Sequence, residues 1–184
     1  MKVTVLTGLS FALLWIISKM IFFWTGMLGS DVIPSVLLNM LFLLLAISVG
    51  LFLHKRKQEE QGNALLDIKN AMSAGLPYLI VVSVFLYFYY DKIDPEFNQH
   101  QIAEAYTSIE KKLNNPKEFA EIKASNEEFE VMTKEEILTK LKENLVRNYS
   151  ASFTMTVSLL GLLLLATINS IFITIIYRKL IFRS

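Results

Sequence analysis

Catalysis and metal binding need acids, bases, nucleophiles or metal ligands brought together in one place. This 184-residue sequence has few candidates. It has no cysteine, which removes thiolate metal sites, disulfides and cysteine nucleophiles. Its two histidines, His54 and His100, stand 46 positions apart and match no metal-ligand spacing. His100 sits among Gln99, Gln101 and Glu104, the pattern of a solvated helix face. No catalytic residue, metal ligand or cofactor-binding residue is assigned. The sequence reads as a non-enzyme without a cofactor.

Three polar residues stand inside long apolar runs: Lys19, Asn39 and Asn169. They are the candidate intramembrane polar positions. A buried charge is costly in lipid and often marks an ion pair or a pathway. A lysine near the end of a run can instead snorkel its amine to the interface. Both readings stand for Lys19. Asn39 either hydrogen-bonds across helices, worth about 1 kcal/mol, or contacts a ligand. Asn169 belongs with Ser158, Gly161, Thr167 and Ser170 to a set of small or polar residues suited to helix packing.

The elements that carry these residues follow from hydropathy. The chain is 53% hydrophobic with mean hydropathy +0.44, and 19% charged, below the roughly 25% of soluble domains. Apolar runs at residues 3–28, 32–53, 71–90 and 149–177 have the length of membrane spans. The first run is too long for a signal peptide and lacks a small-residue cleavage site. Trp24 fits an interfacial anchor at its end. Gly29-Ser30-Asp31 reads as a tight turn, with Asp31 capping the second span and Pro34 in its first turn. His54-Lys55-Arg56-Lys57 stops that span. Residues 58–63 read as a loop and 64–70 as a short surface helix before the third span. Pro77 is expected to kink the third span, and the aromatics at 85–90 to form an interfacial belt.

Residues 91–148 are polar and charged. Asp94-Pro95 and Asn115-Pro116 are helix starts, with an N-cap followed by proline at the first helical position. Ile102, Ala105, Tyr106 and Ile109 recur at helical spacing after the first, and Phe119 and Ile122 point inward after the second. Thr133-Lys134-Glu135-Glu136 is a capping box. No glycine or proline follows until Gly161, so one continuous helix is predicted from residue 134 to 177. The fold class is therefore all-α and integral membrane: four transmembrane helices with a helical extramembrane insertion between spans three and four. Its divisions are spans one to three at residues 1–90, with a basic cytoplasmic loop at 54–70; an extracytoplasmic helical cap at 91–148; and the fourth span with a basic tail at 149–184.

Charge sets the expected orientation. Lysine and arginine number one at the N-terminus, four in 54–70 and three in the tail. The 91–148 block has nine, against 13 acidic residues. Short basic loops stay in the cytoplasm, which places both termini inside and residues 91–148 outside. The order of segments resembles a family of small bacterial four-span membrane proteins, domain-of-unknown-function family 4199. The likeness is carried by the first span at 8–27, the basic stop at 54–57 and residues 62–75 with Lys69-Asn70-Ala71. The charged block and the terminal Ile175-Ile176-Tyr177-Arg178-Lys179 complete it. The segment after Gly62 departs from the pattern in having less glycine and fewer aromatics. The resemblance implies a bacterial inner membrane and a periplasmic block, and no activity. The expected partners are the lipid bilayer and a protein partner or a second copy, not nucleic acid. The expected role is that of an accessory or structural membrane protein using its outer cap; the alternative is a small oligomeric transporter or channel.

Overall fold

The structure is a computed structural model that describes residues 2–27, 32–57 and 63–181. Within these residues it is helical without strands. The turn at Gly29-Ser30-Asp31 and most of the 58–63 loop lie outside the described residues. The chain forms two compact units, Met1–Leu86 with Met155–Ser184, and Tyr87–Thr154.

The first unit is built on four apolar helices: α1 (Val3–Thr25), α2 (Ile33–Arg56), α3 (Ala64–Phe88) and α8 (Ala151–Ile176). They run to 23, 24, 25 and 26 residues. At 1.5 Å per residue each exceeds a hydrocarbon core of about 30 Å. Gly26 ends α1 in the left-handed region at φ 63°, where its N–H donates to the Phe23 carbonyl. Pro34 lies in the first turn of α2, as expected.

Lipid supplies no hydrophobic force between helices, so close packing and hydrogen bonds hold them together. Small residues provide the closeness. A Cβ on Gly8 of α1 would lie 2.1 Å from the Ala74 carbonyl oxygen of α3. A Cβ on Gly50 of α2 would lie 2.7 Å from the Ala74 Cβ, and one on Gly75 3.2 Å from the Ala166 Cβ of α8. Larger residues fill the rest: Phe11 meets Phe42 at 6.2 Å between centroids, and Trp15 meets Phe85 edge-on at 5.9 Å.

One expectation is corrected here. Residues 64–70 are not a separate surface helix but the opening turns of α3, which runs on past Pro77 without interruption. Among the 85–90 aromatics, Phe85 packs on Trp15, Phe88 is exposed, and Tyr89 and Tyr90 are buried.

The second unit begins at the last two residues of α3 and continues through a π-helical turn, Tyr89–Ile93, then α4 (Pro95–Asn114), α5 (Pro116–Ala124), α6 (Glu127–Glu130) and α7 (Lys134–Asn148). Each start has a local cause. Asp94 accepts from the Phe97 N–H, Asn115 from the Lys117 N–H and Asn126 from the Glu128 N–H. The capping box at Thr133 and Glu136 is complete. Leu113, Phe129 and Ile137 form a small core, with Ile109, Phe119 and Ile122 packed against it.

The continuous helix predicted from residue 134 to 177 does not form. It stops at Asn148, and α8 starts at Ala151. Tyr149 leaves helical geometry at φ −95°, ψ 10°. Ser150 is the cause: its hydroxyl donates to the Arg147 carbonyl at 2.7 Å and accepts the Phe153 N–H at 3.2 Å. One side chain thus satisfies the end of one helix and the start of the next, the competition with the helical ladder open to serine.

Gly8→Val is expected to destabilise the detergent-solubilised protein by about 1–3 kcal/mol, because backbone must move to admit the side chain. Gly161→Ala is the control, since its Cβ would meet nothing within 4 Å. Equal thermal unfolding of the two variants would contradict the packing account. A second outcome concerns Glu136, whose carboxylate accepts the Thr133 N–H at 2.7 Å and its hydroxyl at 2.9 Å. These bonds hold its pKa below the usual carboxylate value. Its contribution is therefore complete above the unfolded-state value of about 4 and is lost as pH falls through the lower folded value. Amide protection in the first turn of α7, taken relative to the intrinsic exchange rate at each pH, should fall over that window, and Glu136→Gln should remove that change.

Candidate functional site

The polar centre of the first unit is Asp67. It lies in the first turn of α3, where a helix N-terminus favours negative charge. Lys55 lies in the last turn of α2, where positive charge is favoured. Arg178 belongs to the π-helical turn Tyr177–Ile181 that follows α8. Lys55 Nζ stands 2.8 Å from Asp67 Oδ1, an ion contact without hydrogen-bond alignment. Arg178 donates from a guanidinium nitrogen to Asp67 Oδ2 at 2.7 Å. The side chains of Asp67 and Lys55 are 1% and 8% exposed, and that of Arg178 is 39% exposed.

Neighbouring bonds brace this end of the unit. The Tyr177 hydroxyl donates to the Ser48 carbonyl at 3.0 Å and lies 2.6 Å from the Ser48 hydroxyl, and the Tyr177 ring meets Phe52 edge-on. Ser73 donates to the Thr4 hydroxyl at 2.6 Å, tying the start of α1 to α3. On α8, buried Ser170 and Thr174 precede Arg178 at four-residue steps, so one polar stripe ends in the guanidinium.

A buried carboxylate must be neutralised, and two cations do that here. The three groups carry a net charge of +1. The arrangement pins three helix ends together and leaves the surplus positive charge on the more exposed partner, Arg178.

The positions singled out from sequence fall elsewhere. Asn39 is buried on α2, where its side-chain oxygen accepts the Tyr78 hydroxyl at 2.7 Å and its carbonyl at 3.0 Å. That is a cross-helix hydrogen bond. Lys19 is half-buried on α1, and Asn169 is half-buried on α8 beside Ser170. His100 is exposed on α4, with Nδ1 3.6 Å from Glu104. Among the described residues no three His, Cys, Asp or Glu gather as a metal site.

In sequence, Asp67 sits in a segment with the pattern of amphipathic surface, which hides its burial. A signal was nevertheless present. The buried stripe of α3 runs Asp67, Asn70, Ala71, Ala74, Gly75, Tyr78 and Leu79. Extending the three-and-four spacing of the small residues back from Gly75 leads to Asp67.

Four helices long and apolar enough to cross a bilayer define the chain as a multi-pass helical membrane protein. The family model described as "Protein of unknown function (DUF4199)" matches residues 6–179, nearly the whole chain, and the chain belongs to this family. No curated protein and no solved structure matches it.

Asp67→Asn is expected to destabilise the protein by about 3–5 kcal/mol, because it leaves Lys55 buried and unneutralised. Arg178→Gln should cost far less, since that partner is substantially solvated. Thermal unfolding in mild detergent ranks the two. Equal losses would mean that the carboxylate is not the organising charge.

Proposed function

We propose that this protein is a non-enzymatic accessory or structural component of the bacterial inner membrane. Both termini face the cytoplasm. The second unit lies on the outer side and contacts a protein partner. The observation that carries the reading is the construction of that unit. Among its described residues the main apolar cluster is Leu113, Phe129 and Ile137 with their neighbours, and most of its side chains remain outside. The surface so formed is dense in charge, with 13 acidic and nine basic residues in 91–148. Val131 is fully presented beside the core residue Phe129, at 89% exposure. A large exposed aliphatic residue amid charges has the make-up of a contact site with a polar rim. The orientation draws its support from the basic residues at the chain ends and after α2.

Cysteines at Ser108 and Ser125 are expected to react with a membrane-impermeant maleimide in intact spheroplasts, and a cysteine at Lys57 only after lysis. The reverse pattern overturns the orientation. A photo-crosslinker at Val131 in native membranes should give a discrete adduct with another protein. Recovery of the protein alone, in several mild detergents, would count against a partner.

A further inference from the structure

We propose that the end of the first unit around Asp67 binds anionic phospholipid headgroups. This does not rest on the role of the second unit. Asp67 gathers three basic segments by bonding Lys55 at the end of α2 and Arg178 after α8, while lying itself beside Lys69 on α3. Arg56 and Lys57 follow Lys55, and Lys179 follows Arg178. All four of Arg56, Lys57, Lys69 and Lys179 are exposed. The carboxylate that draws these segments together is itself buried and consumed by two cations. It therefore does not offset the charge of the rim.

The count supports this. The N-terminus, residues 54–70 and the tail hold eight Lys and Arg against three acids, Glu59, Glu60 and Asp67. Clusters of four to eight basic residues directly beside a span attract anionic lipid.

Apolar surface lies beside the charge. A shallow, open apolar surface enclosing about 420 Å³ at the start of α3 is lined by Asn63, Leu65, Leu66, Ile68 and Lys69. Leu65 is 75% exposed in it. A lysine at the edge of an exposed leucine surface is complementary to a phospholipid, with the phosphodiester on the amine and an acyl chain against the leucines. A soluble acidic protein would match the charge but not an apolar surface at the end of membrane-spanning helices. Free phosphate would not use the leucines.

The test is native mass spectrometry of the full-length protein in detergent, with equal amounts of phosphatidylglycerol and phosphatidylethanolamine added. Retention of phosphatidylglycerol is expected to exceed that of the zwitterionic lipid. One interfacial cation is worth about five-fold in affinity for an anionic surface. Lys57→Gln/Lys69→Gln/Lys179→Gln should therefore reduce the preference by roughly ten-fold or more. Lys111→Gln/Lys112→Gln/Lys117→Gln, an equal charge change on exposed residues of the second unit, should leave it intact. Circular dichroism of each variant checks that the helices are retained. The proposal is overturned if wild type shows no preference, if the first variant keeps it, or if the second loses it. Displacement of the lipid by millimolar inorganic phosphate would also overturn it, by showing a simple anion site. Leu65→Asn/Leu66→Asn should weaken retention of both lipids, and unchanged retention would remove the leucine surface from the account.

Discussion

One buried carboxylate constrains the first unit more than any other group. A charge with almost no contact with water must be neutralised where it sits. Asp67 meets this condition with a lysine from α2 and an arginine after α8. Neither cation can be placed unless its helix ends in register with the first turn of α3. The electrostatic requirement thus becomes a geometric one. The macrodipoles of α2 and α3 favour the same charges at their ends, so the local and tertiary preferences agree.

The register this demands is compatible with what the helices can do in the span. Gly8 and Gly50 let α1 and α2 approach Ala74 to distances that a larger side chain would force apart, and Gly75 leaves a tighter than usual contact with Ala166 of α8. Such contacts gain dispersion energy where the hydrophobic effect offers nothing between helices in lipid. The Asn39–Tyr78 hydrogen bond adds a directional tie between α2 and α3. Ion cluster, small-residue seam and hydrogen bond act at different depths of one bundle.

The second unit depends on different physics. Its helices start where short polar side chains satisfy backbone donors, at Asp94, Asn115, Asn126 and Thr133. Its residues Leu113, Phe129 and Ile137 close a small core. Ser150 then divides α7 from α8 by bonding to both. A polar unit interrupted in this way from an apolar helix suits the division of labour proposed above, with lipid recognition in one unit and protein recognition in the other.

The sequence by itself determined the all-helical class, the four spans, the charge asymmetry and three of the helix starts in 91–148. These follow from hydropathy and from side-chain chemistry acting within a few residues. It also contained Ser150, a residue type whose hydroxyl can compete for backbone hydrogen bonds, but not the outcome of that competition. Apolar periodicity on both sides favours a continuous helix, and the serine hydroxyl decides against it only when both backbone partners are within reach. Asn39 was legible as a helix-bridging polar group, though its partner Tyr78 lies 39 positions away. Asp67 was not legible as a centre. Its partners Lys55 and Arg178 come from other helices, the second 111 positions away. Burial turns that aspartate from an ordinary residue of a charged loop into the group that fixes three helix ends. Burial is a property of the packed bundle, and only the tertiary structure could assign it.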